Sequence, residues 1–234
     1  MTAVVETHPT RTINSRRVFT EALVVAVFLT ALSYLVGRIA GWLPSPDLWT
    51  GLEAFAVFTS YACTYMCVKE SRFNYPIGAV STATYSLLFF HYDLVASAIL
   101  NAYLTPALIY GWFRWRSDNE TRHVQHVALK WVPVYILVTG FAYIGALVVA
   151  RALGGDLAIT DSLILIGTML AQFLLDNKKI ETWLVWITVN IAAIYTYFNA
   201  DLHLAGFQYI FFLLNAFLGY YIWKKNLVPS EVTA

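Results

Sequence analysis

Long apolar runs separated by short polar breaks dominate the chain. Eight such runs stand out, at residues 18–40, 48–68, 76–90, 95–113, 131–150, 162–175, 182–198 and 204–223. They are continuously apolar rather than alternating, which predicts helices rather than strands. Because a membrane-spanning helix needs roughly 20 apolar residues, the pattern predicts an all-α membrane protein with about eight transmembrane helices.

Composition agrees with this fold class and excludes others. The chain is 59% hydrophobic and 12% charged, whereas soluble domains carry about 25% charged residues. The net charge of +1 gives no reason to expect a nucleic-acid partner. Cys63 and Cys67 lie in an apolar run and are interpreted as small packing residues.

The distribution of lysine and arginine predicts the topology. Thirteen of the fifteen fall in alternating breaks, on the side of the N-terminus; the exceptions are Arg38 and Arg151. Because cytoplasmic loops collect positive charge, we expect eight spans in the cell (inner) membrane with both termini cytoplasmic. Residues 1–17 are predicted to be a disordered cytoplasmic tail, and residues 226–234 a second cytoplasmic tail.

Two parts of the sequence resemble each other when Asp93 is aligned with Asp201. An Asp-Leu pair and a later Gly-x-x-x-Trp-basic ending recur at Asp93 to Arg116 and at Asp201 to Lys224. Four crossings separate the copies, so they should run in the same direction. We predict three-helix units at 48–116 and 162–225, a linking helix at 131–150 and an additional N-terminal helix at 18–40, a 3+1+3 parallel pseudo-repeat with one peripheral helix. Parallel repeats are found in transporters that hold substrate between the units.

The seventh run carries the most informative polar pattern. At 100° per residue, Trp183, Trp186 and Asn190 lie within about 60° of one another on a helix, and Tyr197 lies on the same face. Indole rings stack on flat heterocycles and attract cations, and an amide offers both donors and an acceptor. The stripe therefore suits a flat, cationic, hydroxylated ligand. The alternatives are interfacial anchoring for Trp183 and hydrogen bonding between helices for Asn190.

Further polar side chains are weaker candidates for substrate binding. Gln172, Asn215 and Asn101 each fall inside an apolar run, where a polar group is costly unless it faces protein or a cavity. Ionisable residues are missing from the middle of the runs, and Glu21 and Glu53 are placed at span ends. Because proton-coupled carriers use intramembrane carboxylates or histidines, this predicts passive movement. We identify no metal site, cofactor site or nucleophile–base pair, so no enzyme is predicted.

The segment from Gln172 to Asn190, with Lys-Lys-x-Glu followed by Trp-x-x-Trp-x-x-x-Asn, resembles the Pnu-type nicotinamide riboside transporters. Matches at residues 69–74, 101–106 and 111–115 extend the similarity to roughly 50–225. The resemblance implies a SWEET-like fold, a homotrimer, and facilitated diffusion of nicotinamide riboside for NAD biosynthesis, with a cytoplasmic riboside kinase trapping the product. It also implies substrate contacts at Trp183, Trp186 and Asn190.

Two alternatives stay open at the level of sequence. The first is a related transporter for thiamine, riboflavin or another nucleoside-like vitamin, because such relatives share the fold and differ mainly in site residues. The second is a membrane receptor that binds its ligand without passing it.

Overall fold

The computed structural model describes residues 14–43, 48–91, 95–115, 123–152, 154, 157–199 and 202–227. These residues form eight α-helices and no multi-residue strand. The helices are α1 Ser15–Ile39, α2 Leu48–Val68, α3 Asn74–His91, α4 Val95–Arg114, α5 Val132–Ala152, α6 Ala158–Asp176, α7 Glu181–Asn199 and α8 His203–Lys225. The prediction of an all-helical protein is confirmed.

Most helices extend slightly beyond the predicted apolar runs, because polar residues also form helical turns. Helix α6 begins at Ala158 rather than residue 162 and includes Asp161 in its first turn, where the helix dipole favours a negative charge. Helix α1 begins at Ser15, capped by the Asn14 side chain, which accepts from the Arg17 amide at 3.2 Å. The predicted disordered tail is therefore wrong at residues 15–17, and residues 1–13 lie outside the described part.

The helices pack as two groups of three. Helix α3 packs between α2 and α4, and α7 packs between α6 and α8. The groups meet where α2 contacts α8 and where α4 contacts α6. Helix α1 lies against α2 and α8, and α5 lies against α6.

The helices differ in length and in how apolar they are. Among the described residues, four segments are long and apolar enough to cross a membrane by length and composition: Ser15–Ile39, Leu129–Ala152, Ala158–Asp176 and His203–Lys225. Helix α5 buries none of its residues within the chain. Helices α2, α3, α4 and α7 do not meet this criterion of length and composition. They contribute polar side chains to the interior of the molecule, as α6 and α8 also do.

The α2–α3 and α6–α7 loops, which occupy equivalent positions in the two groups, have the same backbone structure. Glu70 and Lys178 both have positive φ angles, of 56° and 50°. The amides of Glu70 and Lys178 donate to the carbonyls three residues earlier, and the amides of the next residues donate five residues back. The ring pairs that follow also correspond. Tyr75 and Trp115 have centroids 5.2 Å apart, and Trp183 and Trp223 have centroids 5.3 Å apart, both in edge-on contact.

Candidate functional site

A cavity of about 760 Å³ lies between the two groups of helices. Residues from α2, α3 and α4 line one side, and residues from α6, α7 and α8 line the other. All seven side chains that the sequence nominated for substrate binding line this one cavity: Asn101, Gln172, Trp183, Trp186, Asn190, Tyr197 and Asn215.

The α7 stripe forms one wall. Trp183 and Asn190 are each 2% exposed, and Trp186 is half-buried. The interfacial-anchor interpretation of Trp183 is wrong, because its ring packs against Trp223 inside the molecule and against Gly219 of α8. A Cβ at Gly219 would lie 2.6 Å from that ring, so a glycine is what lets the indole lie so close to α8.

Two polar atoms of this wall lack a partner among the described residues. They are the Asn190 Oδ1 and the Trp183 Nε1, both fully buried. An unsatisfied buried polar group costs about 1–3 kcal/mol. Helix α7 therefore carries one acceptor and one donor whose hydrogen-bonding capacity is unused among the described residues.

The Gln172 side chain is hydrogen-bonded to the buried carboxylate of Asp176, a residue that the sequence analysis did not single out. Its Nε2 donates to Asp176 Oδ1 at 2.8 Å, and the Tyr75 hydroxyl donates to the same oxygen at 2.8 Å. Trp115 Nε1 also donates to the Asp176 carbonyl at 3.1 Å. Asp176 ends α6 next to a charged loop, so a hydropathy pattern places it outside the span. Its partner Tyr75 belongs to the other group of helices, far away in the chain.

The other nominated amides already make hydrogen bonds with the backbone. Asn215 Nδ2 donates to the Thr64 carbonyl at 3.1 Å, and Asn101 Nδ2 donates to the Ser97 carbonyl at 2.9 Å. These amides keep their oxygens oriented, but they have less hydrogen-bonding capacity left than Asn190. Tyr197 packs against Tyr209, with ring centroids 5.1 Å apart.

Three further side chains line the cavity and were not nominated. Glu53 was placed at a span end, but it lies in the second turn of α2 and faces the cavity. Tyr85 of α3 donates its hydroxyl to Gln208 Oε1 of α8 at 2.9 Å, across the two groups. Gln208 Nε2 is buried without a partner among the described residues. The signal available in the sequence was the cost of placing Gln208 in an apolar run.

The end of the molecule at the α2–α3 and α6–α7 loops is closed by polar contacts. Lys178 Nζ lies 3.4 Å from Glu70 Oε2, with side-chain exposures of 5% and 12%, and 4.8 Å from the centre of the Trp115 ring. Asn226 Nδ2 donates to Glu70 Oε1 at 2.8 Å. Gln125, which precedes α5, pairs through its backbone with residues of the α6–α7 loop.

The walls of the cavity present aromatic rings, apolar side chains and uncharged polar groups beside one carboxylate. Within the described residues, no group of three or more His, Cys, Asp or Glu side chains could hold a metal ion. The chemistry offered by the described walls is stacking, hydrogen bonding and one carboxylate.

Comparison with known proteins places the chain in a family. The family model for nicotinamide mononucleotide transporters matches residues 50–225. The chain belongs to the nicotinamide mononucleotide transporter family. The resemblance indicated by the α7 motif is confirmed, and the molecule is a multi-pass membrane protein of a transporter family. The match to this family begins after α1, which lies outside it.

Curated relatives of this chain include nicotinamide riboside transporters named PnuC. The one from Escherichia coli is 22% identical over 204 residues, covering 75% of this chain and 85% of the relative. The one from Neisseria mucosa is 27% identical over 196 residues, covering 77% and 74%. A crystal structure of the vitamin B3 transporter PnuC aligns with a TM-score of 0.68 at 22% identity, covering 87% of this chain and 90% of that one. The family fold is therefore shared with that transporter.

Proposed function

We propose that this protein is a transporter that moves nicotinamide riboside across the cell (inner) membrane by facilitated diffusion. The observation that carries the proposal is the α7 wall, where the half-buried Trp186 lines the cavity beside the unpartnered Asn190 Oδ1. Nicotinamide riboside has a flat pyridinium ring for the indole and a carboxamide whose N–H groups match an unpaired acceptor. The family and the names of its curated relatives support the same substrate.

The cavity also has the dimensions of a small-molecule site. Its volume of about 760 Å³ falls within the roughly 300–1,000 Å³ typical of ligand pockets. Trp183, Asn190 and Gln172 supply the nearest polar and aromatic groups on one wall, with Asn215, Asn101 and Tyr197 as further contacts.

The proposed architecture is eight crossings arranged as one plus three-one-three, with a SWEET-like parallel pseudo-repeat. Its support is the equivalence of loops and ring pairs in the two groups of helices. Helix α1 and its contacts with α2 and α8 fit an additional peripheral helix, and α5 fits the linking helix. Both termini are assigned to the cytoplasm by the positive-inside rule.

Passive movement without enzymatic chemistry fits the distribution of charge. Glu53 and Asp176 lie near helix ends, so neither is a carboxylate at the middle of a helix. A cytoplasmic riboside kinase would then trap the substrate by phosphorylation. A homotrimer is proposed from the resemblance, and the exposed apolar surface of α5 leaves area for contacts with lipid or another subunit.

Liposome uptake tests this function. The protein is reconstituted, and labelled nicotinamide riboside is supplied outside, with and without a riboside kinase and ATP inside; thiamine and riboflavin are tested in parallel. We expect equilibration without kinase and accumulation with it, independent of a proton gradient. Binding without equilibration would favour a receptor, and accumulation driven by a proton gradient would contradict facilitated diffusion.

A further inference from the structure

The Glu53 carboxylate places a negative charge at the wall of the cavity. Among the described residues that line it, Glu53 is the only Asp, Glu, Lys or Arg. The Glu53 carboxylate makes no hydrogen bond and no ion pair with another described residue. His203 also lines the cavity, with its ring packed on Trp42 at 5.3 Å. An uncompensated negative charge in a partly desolvated cavity attracts cations more strongly than the same charge in water.

A second polar group lines the cavity from the opposite wall: Gln208 lies in the second turn of α8, as Glu53 lies in the second turn of α2. Gln208 is 6% exposed, and its Oε1 accepts from the Tyr85 hydroxyl, which fixes the amide orientation. The Gln208 Nε2 is left buried and without a partner among the described residues. A buried amide donor that lines a cavity is satisfied only by water or by a ligand acceptor. This donor on α8 complements the unpaired Asn190 acceptor on α7.

We propose that Glu53 is the charge-selecting residue of the cavity. Its carboxylate favours a ligand with a positively charged ring and disfavours one with a phosphate, while Gln208, held by Tyr85, donates to an acceptor on the same ligand. This inference rests on the proposed function. A phosphate group carries about −1.5 to −2 charge at neutral pH, so the nucleoside and the corresponding mononucleotide differ in the sign of their net charge. Glu53 therefore gives a physical reason for transport of the riboside rather than the mononucleotide.

The decisive comparison uses two ligands of nearly the same shape and different charge. Nicotinamide riboside is a cation, and its 1,4-dihydro form is neutral. Isothermal titration with purified protein in nanodiscs gives the ratio of their affinities. For Glu53→Gln we expect the affinity for the cation to fall at least about tenfold, equivalent to about 1.4 kcal/mol, with little change for the dihydro form.

Two variants control for side-chain shape and for loss of charge elsewhere. Glu53→Asp keeps the charge and should keep most of the preference for the cation. Glu21→Gln makes the same chemical change on α1, outside the cavity, where Glu21 contacts Arg17 and Tyr65, and should leave the ratio unchanged. Retained binding of the dihydro form shows that each variant is folded.

Several outcomes would overturn the inference. Equal losses for both ligands would indicate a structural role for Glu53, and no loss for either would remove it from the site. The mononucleotide provides a further check. The ratio of the affinity for the riboside to the affinity for the mononucleotide should be smaller in Glu53→Gln than in the wild-type protein. An unchanged ratio counts against repulsion of the phosphate by Glu53. Failure of the wild-type protein to bind nicotinamide riboside at all would instead contradict the proposed function.

Discussion

The two three-helix groups place equivalent positions around the cavity but fill them with different chemistry. In the alignment of the two groups, Trp186 and Asn190 of α7 correspond to Gly78 and Thr82 of α3, and all four line the cavity. One group presents an indole and a buried amide, whereas the other presents a glycine and a hydroxyl. The two loops share a backbone conformation, whereas the side chains that line the cavity differ.

The Thr82 hydroxyl on the α3 wall is hydrogen-bonded within the protein, whereas the α7 wall carries polar atoms without a partner among the described residues. A Cβ at Gly78 would lie 2.7 Å from Cys63 Sγ, so helix α3 is too close to α2 for a side chain there. The Thr82 hydroxyl already lies 3.0 Å from the Thr105 hydroxyl and 3.2 Å from the Ala79 carbonyl. The α3 wall therefore presents a hydroxyl that is already paired, whereas the α7 wall presents unpaired groups. Two walls with different chemistry can in this way bind an asymmetric ligand in one orientation.

The largest expected effect concerns the point where the two groups meet. Glu70 and Lys178 occupy equivalent loop positions and form an ion pair at 3.4 Å with little exposure. Removing one partner leaves the other buried and uncompensated, which costs about 3–5 kcal/mol. We expect Glu70→Gln or Lys178→Gln to lower the free energy of unfolding by about that amount, as measured by SDS titration in mixed micelles.

Reversing both charges distinguishes the loss of the ion pair from a general disturbance of the loops as the cause of the lower stability. The double variant Glu70→Lys with Lys178→Glu should recover part of the loss, because attraction is restored even though Asn226 and Trp115 then face altered partners. Lys69→Gln is the control, since Lys69 lies 3.8 Å from Glu21 in a more exposed pair and should change stability little. Equal effects of Lys69→Gln and Lys178→Gln would refute the buried-pair explanation.

The next effect tests the two glycines that admit the equivalent rings. A Cβ at Gly111 would clash with the Tyr75 ring, and one at Gly219 would lie 2.6 Å from the Trp183 ring. Overpacking of this kind costs about 1–3 kcal/mol, and rigid rings against a helix backbone put both variants near the upper value. Thermal unfolding in detergent should show Gly111→Ala and Gly219→Ala both destabilised.

Ligand binding should distinguish these two variants. Gly219→Ala displaces a cavity-lining indole and should weaken binding of nicotinamide riboside beyond its effect on stability, whereas Gly111→Ala acts on Tyr75, which does not line the cavity. The matched control is Gly140→Ala in α5, where nothing lies within 4 Å of the added Cβ. A loss of stability in Gly140→Ala as large as in the other two would show that helix α5 is constrained by contacts outside this chain.

Much of the fold follows from the sequence because lipid imposes a simple rule. Backbone groups in the bilayer must be satisfied within the segment, so long apolar runs must be helical, and helix α2 has the predicted bounds of 48–68. The helical repeat also placed Trp183, Trp186 and Asn190 on one face. The polar ends of helices were harder to predict, because charges next to an apolar run fit a loop as well as a last turn.

Contacts between distant elements could not be obtained this way. The internal repeat aligns Glu70 with Lys178, but nothing in a one-dimensional pattern says that equivalent loops touch. The hydrogen bonds from Tyr75 to Asp176 and from Tyr85 to Gln208 depend in the same way on how the two groups dock. Glu53 was placed correctly near the end of its span, but the sequence could not show that its side chain lines a cavity between the two groups.

The smallest effect is the sharpest test of the difference between the walls. Asn190→Ala removes the unpaired acceptor, and we expect binding of nicotinamide riboside to weaken by about 1–3 kcal/mol. Thr82→Ala removes a hydroxyl at the equivalent position, but that hydroxyl is already paired within α3 and α4, so its loss should change affinity much less. Titration calorimetry on both variants measures the contrast, with melting temperatures to show that each is folded. If Thr82→Ala weakens binding as much as Asn190→Ala, the ligand contacts both walls equally. The divergence between the two groups would then not be what orients the ligand.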